Sequence, residues 1–91
     1  MPYRIEIGPK AQTQLDGLGA AIEESVERKL SWLGNNAAGM VHRRLVGMPE
    51  DLAGLCKSRL GDYRILYWVY HEKKLIRIYR VAHRSEVYRD F

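Results

Sequence analysis

The spacing of apolar residues divides this chain into a helical first half and a strand-forming second half. Tyr3, Ile5 and Ile7 alternate with Arg4 and Glu6, the period of two expected of a half-buried strand. Gly8-Pro9 ends that run. Proline suits the first turn of a helix, where the amide has no partner to lose, so a short helix is expected from about Pro9 to Asp16. Gly17 and Gly19 interrupt it. From about Ala20 to Leu33 the period changes, with Ile22, Val26, Leu30 and Leu33 recurring at steps of four, four and three along one helical face. Glu23, Glu24, Glu27, Arg28 and Lys29 fill the opposite, solvated side, acids before bases as the helix dipole favours. Trp32 is expected to close the apolar stripe, and Gly34-Asn35-Asn36 to stop the helix.

Residues 37–54 follow neither period and contain Gly39, Gly47, Pro49 and Gly54, which predicts a connector. His42, Arg43 and Arg44 form a short basic cluster in it, read as an exposed loop, with added phosphate contacts as the lesser alternative. Strand patterns then follow closely: Leu55 to Leu60, a turn at Leu60-Gly61-Asp62, Tyr63 to Tyr70, a turn at His71 to Lys73, and Lys74 to Ala82. Tight turns between consecutive strands imply an antiparallel meander. Alternation puts Lys57 and Arg59 on one face of their strand. In the next, Tyr63, Ile65, Tyr67 and Val69 form the face expected under the helices, with Arg64, Leu66, Trp68 and Tyr70 opposite. The last strand is apolar on both sides apart from Arg77 and Arg80, so periodicity does not orient it. The predicted class is α+β in the order β-α-α-β-β-β, a helical hairpin on a small, mostly antiparallel sheet.

Ninety-one residues make one domain, 1–91. No apolar run approaches the ~20 residues needed to cross a bilayer, and the N-terminus lacks a secretory h-region, so a cytoplasmic protein with no membrane partner is expected. One cysteine, Cys56, allows no internal disulfide and reads as a small buried hydrophobe. Charge changes the picture more. From Leu55 onward nine of the fifteen Lys and Arg residues meet four of the eleven acids, a net of +5, whereas residues 1–54 carry −1. Such a field attracts polyanions, and nucleic acid is the first partner to consider.

No metal-ligand spacing, glycine-rich phosphate loop or serine-nucleophile motif is present, and no metal or cofactor is expected. The histidines are scattered; His42 and His71 read as structural or surface residues. What remains is a basic constellation of Lys57, Arg59, Arg64 and Arg84, with His83 and Tyr88 nearby in sequence. RNA cleavage needs no cofactor, because the 2'-OH is a nucleophile already held beside its phosphorus. The protein must help remove the 2'-OH proton, steady the pentacoordinate phosphorane and protonate the departing 5' oxygen. Arginine's fork fits phosphate oxygens at any working pH. Lysine among other cations has its pKa pushed down and becomes a candidate base. Tyr88 or His83 are candidates to supply a proton or orient the substrate, and aromatic rings stack on bases. A basic sheet surface that only binds anions explains the composition equally well.

The run Leu55-Cys56-Lys57-Ser58-Arg59-Leu60-Gly61-Asp62-Tyr63-Arg64-Ile65-Leu66-Tyr67 resembles the signature strand pair of the RelE/ParE superfamily of toxins from toxin-antitoxin pairs, and more closely its RelE branch of ribosome-dependent mRNA endonucleases. Val81-Ala82-His83-Arg84-Ser85-Glu86-Val87-Tyr88-Arg89 is similar to that family's C-terminal motif, and Leu45-Val46-Gly47-Met48-Pro49 to the segment before the signature. The resemblance covers nearly the whole chain. It implies a RelE-like fold and a metal-independent endoribonuclease that cuts mRNA in the ribosomal A site, leaving a 2',3'-cyclic phosphate and a 5'-OH and arresting translation. It implies Lys57 near the 2'-OH as base, Arg64 and Arg84 clamping the scissile phosphate, and Tyr88 stacking on or orienting the substrate. Arg59 would be an auxiliary phosphate contact, with Arg80 and His83 as further RNA-binding residues. It also implies a cognate antitoxin in a hetero-oligomer. Leu55 stands where some members have a second lysine, Ala82 replaces the usual glycine, and Arg84 aligns with either of two arginines. A ParE-like toxin acting on DNA gyrase and a catalytically inactive RNA-binding module are the alternative readings.

Overall fold

A computed structural model describes residues 2–89 of the chain. Strand β1 (Arg4–Ile7) leads into helix α1 (Pro9–Asp16), with Pro9 in its first turn, and then into α2 (Ala20–Asn36). A two-residue strand β2 (Arg43–Arg44) and a 3-10 turn (Glu50–Leu52) occupy the connector. Strands β3 (Cys56–Leu60), β4 (Tyr63–Tyr70) and β5 (Leu75–His83) complete a five-stranded sheet in the order β1-β5-β4-β3-β2. Only β1 runs parallel to its neighbour, β5; the other pairings are antiparallel. The α+β class and the meander are as expected, and β2 is added to the expected order. Its two residues are too few for a period of two to register.

The main core lies between the helices and one sheet face. Val26, Leu30 and Leu33 of α2 and Ala11 and Leu15 of α1 bury against Cys56, Ile65, Tyr67, Ile76, Ile78 and Val81. Trp32 does not join this stripe. It is 46% exposed, with the Lys29 ammonium 4.3 Å from its ring centroid, because its position lies off the face that carries Leu30 and Leu33. Nor does Gly34 stop the helix. The Gly34 carbonyl accepts from Tyr3 N (2.8 Å), and a Cβ there would sit 2.8 Å from Tyr3 O. This glycine permits β1 to approach the helix backbone, and the helix runs on to Asn36, whose Nδ2 donates to Trp32 O at 2.8 Å.

A register shift explains why β5 resisted orientation by pattern. Leu66 pairs with Arg80 but Tyr67 pairs with Ile78, so Tyr79 is an extra residue on β5. A bulge of this kind reverses which side chains face the core. Ile76 and Ile78 lie under the helices before it and Val81 after it. On the far face a second, smaller cluster forms from Leu52, Leu55, Leu66 and Val87, flanked by Trp68, Tyr79 and Ala82. The C-terminal turns are thereby packed onto the side of the sheet that the helices leave open. Among the described residues, no helix is long and apolar enough to cross a membrane.

Candidate functional site

The β3–β4 hairpin organises the basic residues. Cys56 and Tyr67 pair across it and point into the main core, so alternation sends Lys57, Arg59, Arg64 and Leu66 to the opposite face. Arg59 lies directly across from Arg64, and Lys57 across from Leu66. The hairpin closes through Gly61, at φ 57, followed by a residue with ordinary φ, the type II′ pattern that matches strand twist and favours glycine at its first central position.

Two arginines from distant parts of the sequence reach this turn. Arg64 Nη1 donates to Gly61 O and to Tyr63 O, both at 2.9 Å. Arg84 donates its backbone N–H to Asp62 O at 2.7 Å, and its Nε lies 3.8 Å from Asp62 Oδ1. Both members of that ion pair are about two-thirds exposed, so the contact is weak and easily exchanged for another anion. Arg64 anchors one edge of its fork on carbonyls, and its Nε and Nη2 have no hydrogen-bond partner among the described residues. The result is two guanidinium groups flanking one tight turn, close to Arg59 through the strand register.

Tyr88 comes to the same face by a different device. Arg80 is only 5% exposed, and its Nη1 donates to Val87 O (2.8 Å) and Arg89 O (2.9 Å). Val87 buries against Leu66, the residue that pairs with both Lys57 and Arg80. Tyr88, 41% exposed, follows directly. Arg80, expected as an RNA contact, therefore lies beneath the C-terminal segment and is bonded to its backbone.

His83 goes elsewhere. It pairs with Tyr63 on the helix side of the sheet, with the two rings edge to face at 5.6 Å. There it lines a recess of about 310 Å³ with Gln14 and Leu18 of the helical layer. Its Nδ1 accepts from Ser85 N at 3.1 Å and contacts Ser85 Oγ at 2.8 Å. An Nδ1 that accepts a backbone N–H leaves the proton of the neutral ring on Nε2. This side chain is thus separated by the sheet from Lys57 and Arg64, because sequence proximity to Arg84 says nothing about which face a strand residue takes.

The connector places a residue that the sequence marked only as part of a basic loop. Arg43 on β2 pairs with Lys57, so it belongs to the basic face and not to a loose loop. His42 sets that placement: its Nε2 donates to Ala37 O (2.8 Å) and its Nδ1 meets Tyr67 OH (2.7 Å). His71 Nδ1 meets Tyr3 OH at 2.7 Å, and both histidines have the structural role expected of them. Burial raises the ionisation of the Tyr67 hydroxyl well above its ordinary range, helped by neighbouring Cys56. Burial likewise pushes the Cys56 thiol up, with Arg44 acting in the opposite sense. Cys56 Sγ contacts Gly54 O at 3.4 Å, as a small core residue would. Among the described residues, no group of three or more His, Cys, Asp or Glu side chains is placed to hold a metal ion.

Known proteins are similar to this chain in sequence and fold. Residues 5–88 match the family described as the ParE toxin of type II toxin-antitoxin systems, parDE. The toxin RelE of Mycobacterium tuberculosis is 34% identical over 89 residues, an alignment covering 97% of this chain and 88% of that protein. The toxin RelG of the same organism is 44% identical over 46 residues, 48% of this chain and 53% of RelG, so this match spans about half of that relative. A chain in the crystal structure of the toxin-antitoxin complex RelBE2 from Mycobacterium tuberculosis has a TM-score of 0.77 at 29% identity, covering 94% of this chain and 95% of that one.

Proposed function

This chain belongs to the RelE/ParE superfamily of type II toxins, and from that premise we propose that it is a metal-independent endoribonuclease that cuts mRNA on the ribosome. The observation that carries the reading is that Arg64 and Arg84 both contact the Gly61-Asp62 turn, at the end of the hairpin whose exposed face bears Lys57, Arg59 and Arg64. Two forked cations that contact the same two-residue turn from distant parts of the sequence suit a single phosphodiester.

In the proposed reaction the 2' oxygen attacks the adjacent phosphorus as its proton passes to Lys57. Arg64 and Arg84 hold the non-bridging oxygens as negative charge grows on them. The bond to the 5' oxygen breaks, that oxygen takes a proton from water, the hydroxide so formed recovers the proton held by Lys57, and the products are a 2',3'-cyclic phosphate and a 5'-OH. Arg59 contacts a neighbouring phosphate and Tyr88 stacks on or orients a base. Arg80 positions Tyr88 through Val87 and Arg89, and His83 is left out of the reacting group. The protein acts in the cytoplasm, where translating ribosomes supply the substrate geometry. A cognate antitoxin partners the toxin in a hetero-oligomer, a proposal supported by the likeness to a chain of RelBE2.

Purified protein incubated with programmed ribosomes is expected to give discrete mRNA ends by primer extension. Intact message at stoichiometric protein would refute the activity. A second reading is favoured by the name of the matched family: a ParE-like toxin that inhibits DNA gyrase. A supercoiling assay separates the two, since the RNA-cleaving reading predicts full gyrase activity in the presence of the protein.

A further inference from the structure

The sheet has an incomplete edge. Continuing the β2–β3 register past Arg43 and Lys57 would set Val41 opposite Arg59, but β2 ends at Arg43. The preceding chain is instead drawn toward the core by His42, bonded to Ala37 O and Tyr67 OH. A cleft of about 340 Å³ opens between α2 and β3, lined in part by Lys29, Val41, Arg43, Lys57 and Arg59. Leu45 N donates to Leu55 O at 2.8 Å, so the odd-numbered residues of β3 direct their backbone groups to this edge, and the Arg59 N–H points into the cleft.

Four cations from three elements thus face one cavity that no acidic side chain lines. None of the four makes an ion pair among the described residues. Lys57 and Arg59 rise from the face away from the helices, and Lys29 comes from the helical layer, so the cleft carries positive charge around the rim of the sheet. Beside it stands the half-exposed Trp32 ring under the Lys29 ammonium. Such a passage fits a strand with a charge at every residue of its backbone and flat rings able to stack. An extended acidic peptide matches it less well, because alternate side chains would point away.

We propose that the α2–β3 cleft is a second phosphate subsite, in which Lys29 and Arg43 hold the backbone of the RNA strand at a nucleotide flanking the one at the Arg64–Arg84 turn. The inference rests on the hairpin-turn site being an RNA site, and it adds the direction in which the strand leaves: over the free edge of β3 toward α2.

The test is a fluorescence-anisotropy titration of a fully 2'-O-methylated, uncleavable single strand of about ten nucleotides over a salt series starting near 50 mM. K29A/R43A is expected to bind more weakly than the wild type, with the slope of log affinity against log salt reduced by about 1.4 for the two lost cations. K29R/R43K is expected to keep the wild-type slope. A methylated dinucleotide, which has one phosphate, is expected to bind K29A/R43A and wild type alike and to bind R64A/R84A more weakly. A wild-type slope for K29A/R43A, with binding still lost in R64A/R84A, would overturn the subsite and leave the hairpin-turn site standing. If R64A/R84A also binds as the wild type does, or the wild type binds no RNA, both fall. Loss of poly-glutamate binding in K29A/R43A with RNA binding intact would assign the cleft to an acidic peptide and reject the proposal.

Discussion

Burying a guanidinium is tolerable only where its donors find acceptors, and Arg80 finds them in Val87 O and Arg89 O. R80M keeps much of the side-chain length without those donors. It is expected to cost about 1.5–3 kcal/mol per charged hydrogen bond at most, and to speed amide exchange at Val87 and Arg89 well before the β3–β4 hairpin opens. Unchanged exchange at those two amides would contradict the anchoring role. Gly34 makes a second residue-scale prediction. A Cβ there meets the Tyr3 carbonyl at 2.8 Å, so G34A is expected to lower stability by about 1–3 kcal/mol by overpacking, against the gain in helix propensity that alanine brings to an open site. A thermal melt decides the sign. Cys56 and Tyr67 set the alkaline limit. Both ionise at higher pH in the fold than in the unfolded chain, chiefly because burial disfavours their charged forms. Their contribution is fully present below the ordinary thiol value of 9.0 and is lost as pH rises, more steeply beyond the ordinary tyrosine value of 10.0. A melting temperature constant from about pH 8 to about pH 11 would contradict this.

At the scale of elements, the short strand β2 depends on one side chain. His42 ties it to the buried Tyr67 hydroxyl and to the end of α2, and β2 in turn holds Arg43 against Lys57. H42A leaves that hydroxyl without its imidazole partner and is expected to cost about 1–3 kcal/mol, with faster exchange at Arg43 and Lys57 than at Ile65. Equal exchange in variant and wild type would show that β2 stands without it. The long elements were legible in the sequence for a simple reason: α2 and β4 each present a sustained period, and each has one face under the same core. The ends of β3 and β5 shifted by a residue, as strand ends do. What stayed hidden came from interactions across the sequence. β2 is defined by a register with β3, the orientation of β5 by a bulge at Tyr79, and the role of Gly34 by a strand thirty residues upstream. No local pattern carries any of these. The family motif singled out Lys57 and Arg64, which the fold places on one hairpin, and Arg84, which contacts its turn, but it could not separate Arg80 and His83 from them. One lies beneath the C-terminal turns and the other on the far side of the sheet.

Across the whole molecule, the helices cover one face of the sheet and leave the other to a small apolar patch bordered by cations. Of the cations behind the net +5 of the C-terminal part, Lys57, Arg59 and Arg64 stand on the β3–β4 hairpin and Arg84 at its turn, a local positive field of the kind that attracts a polyanion before any specific contact forms. In the proposed reaction, specific contact is the task of the two arginines at the turn. The decisive measurement is single-turnover cleavage of ribosome-bound mRNA by wild type and by folded R64A and R84A, with the ends of the products identified chemically. The account predicts 2',3'-cyclic phosphate and 5'-OH ends from the wild type and a rate lower by about 10²-fold or more in each variant. Cleavage by both variants at the wild-type rate would contradict it.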